Sequence, residues 1–164
     1  MSEADSSVGV GKDQIEAALA DPAFASLRLA GAPVVVIAGA PGRVVYATET
    51  ARSLFGGDLT ALGRRLLHGG EPGASRIVAL SRSLLPGAAP RLERLRFFFG
   101  PVAETVTFLC RRIAVANGET LFALAALGLR APPAPANRSD DEKPTPVLTL
   151  PPAPEAMEHA PAVL

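Results

Sequence analysis

Cysteine is nearly missing from this chain: Cys110 stands alone among 164 residues. A single thiol excludes an internal disulfide and any zinc site built from several cysteines, and it fits a reducing compartment. Tryptophan is absent, tyrosine occurs once, and lysine is confined to Lys12 and Lys143. Long apolar runs are lacking too. The longest, near residues 33–38 and 121–129, fall far short of the ~20 residues a membrane-crossing helix needs. The polar start, M-S-E-A-D-S-S, lacks the basic and then apolar regions of a secretory leader. These absences read as a soluble cytoplasmic protein with no membrane span. Charge of either sign is not in excess, since 16 basic and 16 acidic residues cancel. Residues 1–130 hold 14 basic and 11 acidic residues and residues 131–164 hold 2 and 5. Neither part supplies the strongly basic face of a nucleic-acid binder.

Catalytic motifs are missing as well. No G-x-S-x-G, H-E-x-x-H or paired-carboxylate pattern occurs. Gly11-Lys12 echoes a phosphate loop, but Asp13 follows where Ser or Thr is needed, and Ser6 stands where the first Gly belongs. His159, in M-E-H-A-P, lacks the acidic, basic and Pro context of a kinase phosphoacceptor. The chain reads as a non-enzyme with no metal site.

The residues that are present mark out an order of elements. Residues 1–12 are small and polar and read as disordered. Asp13 can cap a helix over residues 14–20 with Ile15, Ala18 and Leu19 on one face. Asp21-Pro22 restarts helix, with Phe24, Leu27 and Leu29 apolar. The continuous run V-V-V-I-A over residues 34–38 is a strand buried on both faces. Ala40-Pro41-Gly42 turns the chain into a returning strand over residues 44–47. Thr48 can cap a helix carrying Ala51, Leu54 and Phe55, closed by Gly56-Gly57. Asp58 can cap the next, with Leu59, Leu62 and Leu66 on one side. After a break at residues 69–73, Ser75 can cap a helix to about Leu85, stopped by Pro86. Three strands follow. Residues 92–99 place Leu95, Phe97 and Phe99 opposite Arg94 and Arg96; residues 105–115 place Val106, Phe108 and Cys110 opposite Thr105, Thr107 and Leu109; residues 120–129 return after the hairpin signal Asn117-Gly118. From Ala131 nine of the 16 prolines crowd into the last 34 residues, with no aromatic among them. Such a segment buries too little apolar surface to offset its ordering entropy and reads as a disordered linker or tail. No internal repeat is visible.

The stretch P-V-V-V-I, the turn before G-R-V-V-Y-A, and T-A-R-S-L-F-G resemble a PAS domain, the sensor module common in bacterial histidine kinases. The resemblance covers residues 31–130, behind short helices at 13–30. It implies an α+β fold: a five-stranded antiparallel sheet with helices packed on one face. It also implies a signal-sensing and dimerising input module that regulates a kinase core outside this chain. The homodimer would form through the N-terminal helices and the sheet, and the partner would be a downstream kinase or signalling protein. A PAS module that binds proteins and no small molecule is the other reading. Members commonly carry Asn where Thr48 stands; Asn ties down local backbone, whereas Thr can cap a helix but reaches less far.

The resemblance places a ligand, if there is one, in a cleft between sheet and helices. The candidates that would line it are Phe55, Leu80, Leu84, Phe97, Phe99, Phe108 and Cys110. Plain core packing accounts for the same cluster, which a domain of this size needs for stability. No cofactor is expected. Haem-binding members use a helical histidine beside the cleft, and His68 falls at a helix end before Gly69-Gly70. Flavin-binding members need a helical cysteine, and Cys110 falls on a strand, where a small buried apolar residue is the simpler role. Arg64, Arg65, Arg91, Arg94, Arg96, Arg111 and Arg112 can meet acidic partners, but a solvated face explains them more simply. Val147–Leu150 (V-L-T-L between prolines) can add a strand to a partner, though a neutral patch in a linker is the plainer reading.

Overall fold

The computed structural model describes residues 10–39 and 42–129. The expected turn at Ala40-Pro41, most of the polar start and the whole Pro-rich tail, with its V-L-T-L island and His159, lie outside the described residues. Five strands, β1 (Val34–Ala38), β2 (Arg43–Ala47), β3 (Arg91–Phe98), β4 (Ala103–Ala114) and β5 (Thr120–Leu127), form one sheet. Every pairing is antiparallel and the spatial order is β2-β1-β5-β4-β3. This is the expected α+β fold with a single five-stranded antiparallel sheet, but the expectation of helices on one face alone is corrected, because β1 and β5 are apolar on both faces and both are covered. The two early strands join the three late ones through β1 against β5, with Val36 opposite Ala123.

Helices occupy both faces of the sheet. Between β2 and β3 run α3 (Glu49–Phe55), α4 (Leu59–Gly63), a π-helical turn (Arg64–His68) and α5 (Ala74–Ser83). They bury Val35 and Ile37 of β1, Leu95 and Phe97 of β3, Phe108 and Cys110 of β4, and Phe122 and Leu124 of β5. On β2 the side-chain alternation slips: the register shifts between Val36 and Ile37, so Val44 and Ala47 both face this core although three residues apart.

The opposite face is covered by α1 (Lys12–Leu19) and α2 (Pro22–Leu29). Ala18, Leu19 and Phe24 pack on Val34, Val36 and Ala38 of β1 and on Leu121, Ala123 and Ala125 of β5. The apolar residues expected to offer a second copy a docking face are thus consumed largely within the chain. The arrangement explains why β1 is buried at every position. Fully burying a Leu or Phe contributes about 1.5–3 kcal/mol each, so α1 and α2 belong to the domain energetically. Asp21 anchors the pair: its carboxylate accepts from the Ala23 amide at 3.0 Å and from Arg111 on β4 at 2.6 Å.

Local signals mostly act where the sequence puts them. Asp21, Thr48 and Asp58 cap α2, α3 and α4. Three details differ. α1 starts two residues earlier than expected, behind Gly11, whose amide donates to the Gln14 side chain at 3.1 Å. α5 is preceded by Gly73, so Ser75 lies inside it, and it ends at Ser83 with Leu84 already extended, because the chain is approaching Pro86. The β4–β5 hairpin is wider than a two-residue turn, with a short 3-10 turn at Ala116–Gly118 closed by the Val115 amide on the Glu119 carbonyl at 3.0 Å.

Thr48 reaches further than expected. Its hydroxyl oxygen accepts from the Val34 amide at 2.9 Å and the Ala51 amide at 3.3 Å, and the hydroxyl donates to the Ala32 carbonyl at 3.3 Å. One side chain therefore starts α3 and fixes the first residue of β1. A hydroxyl suffices because the chain returns from β2 directly alongside the start of β1, where the Thr48 amide also donates to the Val34 carbonyl.

Candidate functional site

The seven expected cleft residues converge between the sheet and α3–α5. Phe55 comes from α3, Leu80 from α5, Phe97 from β3, Phe108 and Cys110 from β4, while Leu84 and Phe99 pack against them just past α5 and β3. The four rings are mutually tilted, with Phe55 at 5.6 Å from Phe97 and 5.4 Å from Phe99, and Phe97 at 5.7 Å from Phe108. All three separations fall in the attractive range for aromatic pairs, with Phe55 and Phe97 edge-to-face and the other two pairs tilted. Among the described residues no polar or charged residue is fully buried, so the cluster offers few groups to orient a ligand. Cys110 has a thiol pushed up to about 12, first by burial and then by the nearby Glu93 carboxylate. It stays a thiol at neutral pH and lacks the thiolate that cysteine chemistry requires.

A strap that sequence reasoning missed closes one side of this cluster. Arg65, in the π-helical turn, donates from Nε to Glu71 at 2.7 Å and from its terminal nitrogens to the carbonyls of Leu54 (3.2 Å) and Phe98. Its guanidinium lies 5.8 Å from the Phe55 ring centre and 5.7 Å from that of Phe99, within cation–π range. The second Glu71 oxygen accepts from the Phe98 amide at 2.8 Å. Two residues on, the Gly73 amide donates to the Arg96 carbonyl at 2.9 Å. A Cβ at Gly73 would sit 2.7 Å from the Phe97 ring, so only glycine lets this loop lie flush on β3. The strap ties α3, the π-helical turn and the C-terminal end of β3 together over the aromatic rings.

The arginines are not one solvated face. Arg111 pairs with Asp21, Arg91 and Arg76 share Glu93, and Arg112 donates to Thr120 and the Leu84 carbonyl. Arg64, Arg94 and Arg96 are exposed. His68 is exposed at the end of the π-helical turn and lines a groove of about 380 Å³ beside β2; none of the seven expected cleft residues lines it, although its Val44 and Leu67 belong to the same core. Among the described residues no trio of His, Cys, Asp or Glu is placed to hold a metal, and no helix is long and apolar enough to cross a membrane.

No family model matches the sequence, and no curated protein does. Among solved structures the chain is similar to a light-oxygen-voltage domain from a study of a flavin analogue and that domain's mechanism. The identity is 16%, the TM-score 0.48, and the match covers 69% of this chain and 88% of that one.

Proposed function

We propose that the domain is a PAS-type signal-input and dimerisation module that regulates a histidine-kinase core outside this chain and catalyses nothing itself. The observation that carries the proposal is the strand order β2-β1-β5-β4-β3 with α3, α4 and α5 in the single β2-to-β3 crossover. A signal that repacks those helices is felt at the sheet through the Arg65–Glu71 strap. Two measurements test it. Sedimentation equilibrium of the full chain should show a dimer whose population rises with concentration; a strict monomer at the highest concentration removes the dimerising role. A histidine kinase that co-purifies with the chain from its host should autophosphorylate at a different rate when the chain is added back; an unchanged rate removes the kinase role.

A second reading, a protein-binding module with no small ligand, is favoured by the aromatic interior, whose fully buried residues among those described are all apolar. Native mass spectrometry of the chain purified from its host separates the two. A stoichiometric small molecule in the spectrum defeats this second reading.

A further inference from the structure

We infer that the groove beside β2 is a binding site for a small organic oxyanion, a molecule with an apolar body and one carboxylate or phosphate end. The groove, of about 380 Å³, is lined by Gly42, Arg43 and Val44 from the β2 side and by Leu59, Thr60, Gly63, Arg64, Leu67 and His68 from α4 and the π-helical turn. That volume falls at the small end of ligand pockets.

Its two kinds of lining set the ligand class. Val44, Leu59 and Leu67 supply apolar surface, and of these Val44 and Leu67 are buried and already fixed in the core. The polar lining side chains are Arg43, Arg64, His68 and Thr60. All four can donate hydrogen bonds, and the two guanidiniums are planar forks suited to an oxyanion. Among the described residues no acidic side chain lines the groove.

Placement carries the argument: Arg94 and Arg96 are also exposed without a partner among the described residues, but they do not line this groove. Arg65, Arg76, Arg91, Arg111 and Arg112 are all committed to carboxylates, carbonyls or hydroxyls of the chain. Arg43 and Arg64, which are 21 positions apart in sequence, share one concavity with no hydrogen-bond or ion-pair partner among the described residues. Two like charges in one concavity repel unless an anion or solvent sits between them. The π-helical turn divides the pair Arg64-Arg65, sending Arg65 to the strap and leaving Arg64 at the groove; such turns recur at functional sites. Gly63 and Val44 adjoin at the floor, where a Cβ on Gly63 would meet the Val44 side chain in ordinary van der Waals contact at 3.5 Å.

The test uses the full chain, amide-resolved NMR, and four probes: phenyl phosphate, benzoate, inorganic phosphate and the neutral benzyl alcohol. Phenyl phosphate or benzoate should bind saturably, shift the amides of Gly42, Val44, Gly63 and Leu67, and bind at least about threefold tighter than inorganic phosphate or benzyl alcohol. Whichever of the two aromatic anions binds tighter names the head group. R43Q/R64Q should weaken that probe about tenfold, in line with the loss of charge-assisted hydrogen bonds. R94Q/R96Q, which removes two exposed arginines from β3, should leave affinity within twofold. All four side chains are exposed, so folding is not at stake. The inference is overturned if neither aromatic anion saturates, if the shifts fall elsewhere, or if the two double variants weaken binding equally. Since none of the four aromatic rings and neither Arg65 nor Glu71 of the strap lines the groove, these outcomes leave the proposed signalling role untouched.

Discussion

Replacing Glu71 by alanine tests whether the strap over the aromatic cluster holds the fold. Glu71 accepts two hydrogen bonds, from Arg65 Nε at 2.7 Å and from the Phe98 amide at 2.8 Å. A hydrogen bond to a charged group contributes about 1.5–3 kcal/mol, and the two are not additive because they share one carboxylate. Exposure decides the rest. An ion pair in full solvent is worth about 0–1 kcal/mol, and breaking a fully buried one costs about 3–5 kcal/mol. Here the Arg65 and Glu71 side chains are 26% and 12% exposed, and Arg65 keeps the Leu54 and Phe98 carbonyls as acceptors. The expected loss for Glu71→Ala is therefore about 2–3 kcal/mol, between those two limits. Glu71→Gln should lose only about 1 kcal/mol, because the amide oxygen still accepts from Phe98 while the charge is gone. A double-mutant cycle with Arg65→Met should return a coupling of about 1–2 kcal/mol. Urea unfolding of the full chain reads all three, with the midpoint for Glu71→Ala falling by about 1–2 M for a slope near ~1.5 kcal/mol/M. A loss below about 0.5 kcal/mol, or a coupling indistinguishable from zero, would refute the idea that this pair closes the domain.

Other consequences can be checked on the same preparation. Gly73→Ala places a Cβ 2.7 Å from the Phe97 ring and should cost about 1–3 kcal/mol by overpacking; Gly70→Ala, where a Cβ meets nothing within 4 Å, should be near neutral in the same thermal melt. Thr48→Ala strips the acceptor from the Val34 and Ala51 amides; it should cost about 1–2 kcal/mol and speed hydrogen exchange at Val34 selectively. Cys110, its thiol raised from 9.0 to about 12 by burial and then Glu93, should resist a thiol-reactive disulfide reagent at pH 8 until the chain unfolds. The unfolded thiol ionises first as pH rises, so the linkage favours unfolding. This contribution to stability is complete below pH 9 and declines between pH 9 and about 12. Stability that stays flat across that window in the wild type, or falls just as much in Cys110→Ala, would contradict the assignment.

The parts of the fold that were legible are those written in local chemistry. Five β-branched or small apolar residues in a row made β1 a two-faced strand, and Asp21, Thr48 and Asp58 each marked a helix start that the structure uses. Alternation in residues 92–99 and 105–115 assigned Phe97, Phe108 and Cys110 to one interior face, where they lie. The strap was not legible because its strength comes from closure. Nothing in the spacing of Arg65, Glu71 and Phe98 says that β3 returns beside the π-helical turn, and Arg64 and Arg65 differ only in which side of that turn they occupy. The second layer of helices was half visible. β5 is apolar on both faces, with six consecutive buried positions, which demands a cover on each side. The sequence could not say that α1 and α2 of the same chain provide it.

That intramolecular cover governs how dimerisation has to be probed. Removing residues 1–30 would uncover Val34, Val36, Leu121, Ala123 and Ala125, all fully buried beneath Ala18, Leu19 and Phe24. Losing the burial of Leu19 and Phe24 alone forfeits about 3–6 kcal/mol, a large share of the about 5–15 kcal/mol that holds a domain folded. A truncated chain that failed to dimerise would therefore report unfolding as readily as a lost interface. The apolar side chains still facing outward on the sheet are on β3, where Leu92 is 60% and Phe98 42% exposed. Both lie on the face away from the aromatic core, opposite Leu109 and Ala103 respectively. Leu92→Asp combined with Phe98→Asp changes that surface without touching a fully buried residue. If the sheet forms the dimer, sedimentation equilibrium should show a monomer with an unfolding midpoint close to that of the wild type. A dimer that survives both substitutions would move the contact away from β3.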